Sequence, residues 1–258
     1  MKNTLLQKAF CLIIFSFSTF TLLAQEGDKN VLKKITNEKG IPTLITFTSK
    51  STYKISDYQQ LFKDQLGIKG NSNFAKIKTE IDKLGVSHEK FQLFHNGIKV
   101  EFATYTLHSS AGKLNSMNGE FYKTDMLNAI PTLSQDQAFA KALQQIGAQK
   151  YLWEVPEDAK MFSYKKPIGE LVWLPILDGD NSNTKDTPLR LAYKFDIYAT
   201  KPVSRGDIYI DAITGETLFY NATIKHLGEY SHGKREATSA NMNKMVVAAN
   251  ADTRYTGS

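Results

Sequence analysis

Between His88 and Tyr122 apolar and polar residues alternate through three short runs, broken at Asn96-Gly97 and Ala111-Gly112 and closed at Asn118-Gly119. Alternation is the strand period, and Asn-Gly is a strong hairpin signal because both turn positions need positive φ. The stretch predicts a three-stranded antiparallel meander. Val100, Phe102, Thr104 and Thr106 would share one face, with Ala103, Tyr105 and Leu107 on the other. Both faces then carry apolar residues, so a helix is expected against one of them, with Phe91, Tyr105 and Leu107 buried where the two meet.

Upstream, residues 25–50 are weakly patterned, apart from a strand over Leu44 to Phe47 after the turn Gly40-Ile41-Pro42. Ser56 reads as an N-cap, with Asp57 in the first turn. Tyr58, Leu61, Phe62 and Leu66 follow at helical spacing and Gly67 supplies the stop. A second helix is predicted from about Asn73 to Leu84. It places Phe74, Ile77, Ile81 and Leu84 on one face and Lys76, Lys78, Glu80 and Lys83 off it, and Gly85 ends it.

Downstream, Ser134 and Gln137 make a capping box after Pro131, and Ala138, Phe139, Ala142, Leu143 and Ile146 form the apolar stripe of a helix ended by Gly147. Strands are predicted over Glu170 to Pro175 and over Leu189 to Tyr198, where Leu191, Tyr193, Phe195 and Ile197 share a face. Two more, Gly206 to Ile213 and Glu216 to Tyr220, flank the turn Thr214-Gly215. Asp178 to Asp186 is a polar loop. After Ile224 the pattern lapses into a polar, small-residue segment, and Ala251 to Ser258 regains strand character.

The fold class is therefore α+β: two small domains, each an antiparallel sheet packed against helix. The expected division is an export signal at 1–24, an extension at 25–52, a first domain at 53–125, a second at 126–224, a linker at 225–250, and the first strand of a further domain at 251–258. Lys2 and Lys8 precede the apolar run Ala9 to Leu23, which matches a secretory signal cut between Ala24 and Gln25. The run is short for a membrane span. Cys11, the single cysteine, lies inside it, so the exported chain can form no disulfide and must be held by its core. Losing the signal lowers the net charge from +6 to +4, and the remaining basic residues are scattered. That distribution argues against a nucleic-acid partner, and no membrane partner is expected once the signal is gone.

Candidate chemistry is sparse. His88-Glu89-Lys90-Phe91-Gln92 has the outline of a zinc-protease helix motif, but the fifth position is Gln92, so the two-histidine face is absent. His95 and His108 read as half-exposed strand residues. No pair of histidines sits at ligand spacing in the sequence, so no zinc is expected in this chain. Asp178, Asp180 and Asp186 suggest a calcium loop, yet the sixth-position Gly and the closing Glu are missing, since Leu189 stands at the twelfth position. Arg205-Gly206-Asp207 matches an adhesion tripeptide beside a strand start. Nucleophile elbows, phosphate-binding loops and dinucleotide fingerprints are absent, so the chain has no catalytic set.

The first unit resembles the fungalysin/thermolysin propeptide domain. The resemblance runs through Ile81-Asp82-Lys83-Leu84-Gly85, His88, Phe91-Gln92, Asn96-Gly97-Ile98-Lys99-Val100, His108, Gly112-Lys113 and Asn118-Gly119. Family members commonly have Tyr and Pro where this chain has Phe94 and Lys99. The second unit resembles a PepSY domain, a helix followed by strands ending in Ile208-Tyr209-Ile210-Asp211-Ala212-Ile213-Thr214-Gly215-Glu216. The resemblance implies a cystatin-like/PepSY-like architecture and the prosegment of a secreted thermolysin-like zinc metallopeptidase. Such a prosegment inhibits its own downstream catalytic domain, assists its folding and is cut away. Zinc, with calcium, would then belong to that downstream domain, and none to this chain. Processing is expected at Asn250-Ala251, with 237–249 as the fallback. A stand-alone secreted PepSY-type inhibitor or binding module is the alternative.

Overall fold

The computed structural model describes residues 28–124, 127, 130–176 and 188–224. The signal cut at Ala24-Gln25, the Asp178–Asp186 loop, the 226–249 linker and the processing site Asn250-Ala251 lie outside the described residues. The described chain is mostly sheet with a few helices, which agrees with an α+β class. The first half contains β1 (Val31–Thr36), β2 (Pro42–Phe47), α1 (Tyr58–Leu66), β3 (Ser72–Ile81), β4 (Val86–His95), β5 (Ile98–Ser110) and β6 (Lys113–Gly119). The second contains α2 (Gln135–Ile146), β7 (Lys150–Tyr151), α3 (Pro156–Met161), β8 (Glu170–Pro175), β9 (Leu189–Lys201), β10 (Val203–Asp211) and β11 (Thr217–Ala222).

The meander forms as expected. Asn96 and Gly97 adopt φ of 51° and 76°, and Ala111 and Gly112 adopt 50° and 74°, so both hairpins turn through two left-handed residues. Phe91, Tyr105 and Leu107 are fully buried. Gly119 is required by packing: a Cβ there would stand 2.1 Å from the Thr104 carbonyl oxygen and 2.7 Å from Tyr105 Cα. The Tyr105 hydroxyl, beneath that contact, donates to the Pro42 carbonyl.

The predicted helix over 73–84 is instead the edge strand β3, paired with β4 from Ser72↔His95 to Ile81↔Ser87. Spacing misleads here. Phe74 is buried, but Ile77, Ile81 and Leu84 are 54%, 72% and 89% exposed, so no apolar helical stripe is ever covered. What holds the segment is the ladder, a cross-strand ion pair from Lys76 to Glu89 at 3.0 Å, and a turn in which Asp82 accepts from the amides of Leu84 and Val86. Ser56 is likewise not the cap. It lies in a 3-10 turn over Ile55–Asp57, and α1 begins at Tyr58. Strand β1, within the weakly patterned extension, and the short β7 and α3 were not expected. In the second half the capping box is present, with Ser134 accepting from the Gln137 amide at 3.2 Å and the Gln137 side chain returning to the Ser134 amide at 2.8 Å. Strand β8 has the expected bounds, and Leu191, Tyr193, Phe195 and Ile197 share the core face.

Strand β5 is the spine. Its far end pairs with β4 on one side and β6 on the other. Its near end pairs with β8 in parallel through Lys99↔Val172 and Val100↔Trp173. The two halves therefore share one hydrogen-bonded sheet, in the order β1-β2-β6-β5-β8-β9-β10-β11. Midway along β5 the pairing with β4 jumps from Gln92↔Thr104 to Phe94↔Lys99. This large bulge leaves residues 100–103 unpaired with β4, with Phe102 at φ 61°. The bulge reverses side-chain parity, so Val100 joins Ala103, Tyr105 and Leu107 in one core instead of facing away from them. Gln92, itself buried, satisfies the exposed backbone: its amide donates to the carbonyls of Val100 (2.6 Å), Ala103 (3.0 Å) and Leu93 (3.1 Å).

Helix α1 covers one face of the first half, with Phe62 packed on Phe74, Phe91 and Tyr105 at centroid distances of 4.2, 5.4 and 6.0 Å. Helix α2 covers the second, with Phe139 on Phe195 at 5.2 Å. A smaller cluster of Val172, Leu174, Ala192, Tyr209 and Phe219 lies apart from that core.

Two outcomes follow from this packing. Leu107→Ala leaves a cavity in the main core and should lower the unfolding free energy by about 2–5 kcal/mol in a denaturant melt. Gln92→Leu keeps the volume but strips the bulge carbonyls of their donor, and should cost about 1–3 kcal/mol in the same melt. An unchanged midpoint for Gln92→Leu would show that the bulge is not held by this side chain.

Candidate functional site

The parallel contact between β5 and β8 places five charged side chains where the two halves meet. Glu101, within the bulge, is only 5% exposed, and a carboxylate so buried must be paired. It takes Lys99 at 2.9 Å and Lys194 at 3.6 Å. Lys194, from β9, also reaches Asp207 of β10 at 3.2 Å, while Lys99 reaches Glu170 of β8 at 3.7 Å. Burial works against the Lys194 charge, but Glu101 and Asp207 outweigh it and hold its pKa above the ordinary lysine value. Burial pushes the Asp207 carboxyl up, against the opposing pull of Lys194. Every member is held by an opposite charge. The arrangement is a clasp between halves, with no poised acid or base.

Beside the clasp lies a shallow, open depression lined by Tyr164, Ile168, Glu170, Lys194, Asp196 and Asp207. The Tyr164 hydroxyl donates to the Asp196 carbonyl at 2.6 Å and accepts from the Tyr198 amide at 3.0 Å. Burial pushes that hydroxyl's pKa up to about 12, so it stays protonated. The tripeptide Arg205-Gly206-Asp207 lies inside β10. Arg205 grips both oxygens of Asp196 at 2.6 and 3.0 Å, Asp207 is spoken for by Lys194, and a Cβ on Gly206 would strike the Asn221 carbonyl at 2.5 Å. It is a packed strand segment and offers no adhesion loop.

His108 is the half-exposed strand residue expected, and His95 departs from its sequence reading. His95 is buried, its Nδ1 2.8 Å from the Ser72 hydroxyl, which in turn lies 2.6 Å from Thr124 Oγ1. His88 and His108, twenty residues apart, stand opposite each other on β4 and β5, with their Nδ1 atoms 2.7 Å apart. Spacing along the chain gave no histidine pair; strand register makes one. His88 Nε2 lies 3.2 Å from Asp82 Oδ2, and His108 Nε2 lies 2.5 Å from Asn118 Oδ1. The Asp82 carboxylate is held below its usual range, first by the Val86 amide and then, against desolvation, by His88 and the Leu84 amide. Among the described residues no group of three His, Cys, Asp or Glu side chains could hold a metal.

Sequence reading missed the clasp altogether. Lys194 alternates with the apolar residues of its strand and so reads as solvent-facing. Glu101 follows Val100 in an apolar run, and that out-of-phase charge is the one signal that could have drawn attention to it.

Among the described residues no helix is long and apolar enough to cross a membrane. A search of curated proteins finds no match. Among solved structures, the chain is similar to the C-terminal domain of Bacillus megaterium YpeB, at 13% identity and a TM-score of 0.34, over 74% of this chain and 76% of that one. A family model matches residues 72–121, the span from β3 to just past β6. Over those residues the chain carries the fungalysin/thermolysin propeptide motif, which is a propeptide module of thermolysin-like proteases and not a catalytic one.

Proposed function

We propose that this chain is the N-terminal prosegment of a secreted thermolysin-like metalloendopeptidase, acting as inhibitor and folding assistant of its own catalytic domain until proteolysis removes it. The propeptide motif over residues 72–121 is the observation that carries this reading. The bulged strand and the Gln92 bonds inside that motif support it, because they give the module a fixed shape on which a partner can be templated. The second half, taken here as a PepSY-like domain, extends the body through the shared sheet. An inhibitor tethered in cis acts at high effective concentration, and cutting the tether makes it dissociable. In this reading residues 1–24 direct export, the cut falls at Asn250-Ala251, and zinc with calcium resides in the downstream domain.

Exposed apolar side chains supply surface for such a partner. Ile81 and Leu84 project from the β3–β4 hairpin, and Met161, Phe162 and Ile168 lie at 75%, 57% and 80% exposure at and after α3.

The coding sequence should continue beyond Ser258 into a His-Glu-x-x-His helix. Purified residues 25–250, added in trans, should block peptide hydrolysis by that catalytic domain at micromolar concentration. Full activity at that concentration would remove the inhibitory role. Mass spectrometry of the secreted precursor and mature enzyme should place their N-termini at Gln25 and Ala251. A mature N-terminus upstream of His226 would refute the boundary between body and linker.

A further inference from the structure

The pair His88 and His108 has a feature that the propeptide reading leaves unused. An ionised carboxylate and an amide oxygen are both acceptors, so Asp82 Oδ2 and Asn118 Oδ1 each call for an N–H on the Nε2 they face. A neutral imidazole with its proton on Nε2 carries a lone pair on Nδ1. Two such lone pairs then point at each other across 2.7 Å. One shared proton relieves that contact by making one ring an imidazolium, and a metal ion between the nitrogens relieves it with both rings neutral.

The surroundings are those of a ligand pair. A metal-bound imidazole typically gives its other N–H to a carboxylate or carbonyl, which fixes the tautomer and raises ligand basicity. Asp82 and Asn118 occupy those positions, and Asp82 is itself anchored by the amides of Leu84 and Val86 at 2.8 and 2.9 Å. Access is open, since the His88 and Asp82 side chains are 30% and 37% exposed. The rings meet edge to face, 75° apart. Tetrahedral zinc with bonds of about 2.0–2.1 Å needs its two nitrogens about 3.4 Å apart, a small opening for partly exposed rings. Directly across from His88 on β3 is Glu80, now paired with Lys78 at 2.6 Å, and across from His108 on β6 is Ser116. Glu80 shares a row with His88, and water would fill the remaining positions.

We propose that His88 Nδ1 and His108 Nδ1 form a surface binding site for a first-row divalent transition ion of imidazole preference, with Asp82 and Asn118 orienting the rings. Bridging β4 and β5, the ion would cross-link the two strands that flank the Gln92 bulge. It binds the folded state alone, since only strand register brings the nitrogens together, and so it raises stability by mass action.

The test uses the tag-free exported chain, cleared of metal and titrated with zinc, in a His226→Ala/His232→Ala background that removes the two histidines outside the described residues. One equivalent of zinc should bind saturably and raise the thermal midpoint. His88→Gln and His108→Gln should each weaken binding at least tenfold and abolish the midpoint shift. Unchanged binding in either variant, or no saturable binding below millimolar zinc, would overturn the site. Should a variant misfold, long-range nitrogen–proton NMR on the wild-type chain decides. Zinc should move the Nδ1 resonances of His88 and His108 while their Nε2 atoms stay protonated, and shifts confined to the other histidines would reject the proposal. Either result leaves the propeptide reading untouched.

Discussion

Everything in this fold depends on how one long strand changes partners partway along its length. Strand β5 keeps β4 on one side and exchanges β6 for β8 on the other. An unbroken ladder would keep Val100 and Tyr105 on opposite faces. The bulge at 100–103 resolves the conflict by reversing parity, at the expense of backbone carbonyls turned away from the ladder. A buried orphan carbonyl is costly, and the Gln92 amide removes that penalty from within the neighbouring strand. Gln92 is thus a backbone substitute: one side chain supplying the donor that a regular partner strand would have supplied.

The same irregularity explains the charges at the seam. Reversed parity takes Glu101 off the face of Ala103, Tyr105 and Leu107, where regular alternation would put it, and sets it at the seam, where only paired charge is tolerable. Lys99 comes from the same strand, and Lys194 comes from the second half. The ion network and the parallel pairing therefore act together. Displacing one half relative to the other would strip Glu101 of Lys194 and break the β5–β8 hydrogen bonds at once. A body joined this way presents a continuous surface drawn from both halves, which suits the templating role proposed for it.

Much was legible from residues alone. Both two-residue turns, the Ser134–Gln137 box, the glycine stops at Gly67 and Gly147 and the bounds of β8 are dictated by chemistry within a few residues, and short-range signals report them faithfully. The segment 73–84 failed for the opposite reason. Its apolar residues fall at helical spacing, but no surface exists to cover that stripe, and pairing with β4 offered a better partner.

The sequence by itself determined the local turns, the caps, the alternation of the core strands and the propeptide motif, because each is written in contiguous residues. Tertiary structure alone decided the rest. Gln92 became a bulge donor, Glu101 and Lys194 became partners 93 positions apart, and His88 met His108 across a strand pair. Each of those pairings is set by register between distant strands, and a shift of one residue would turn every such side chain to the opposite face.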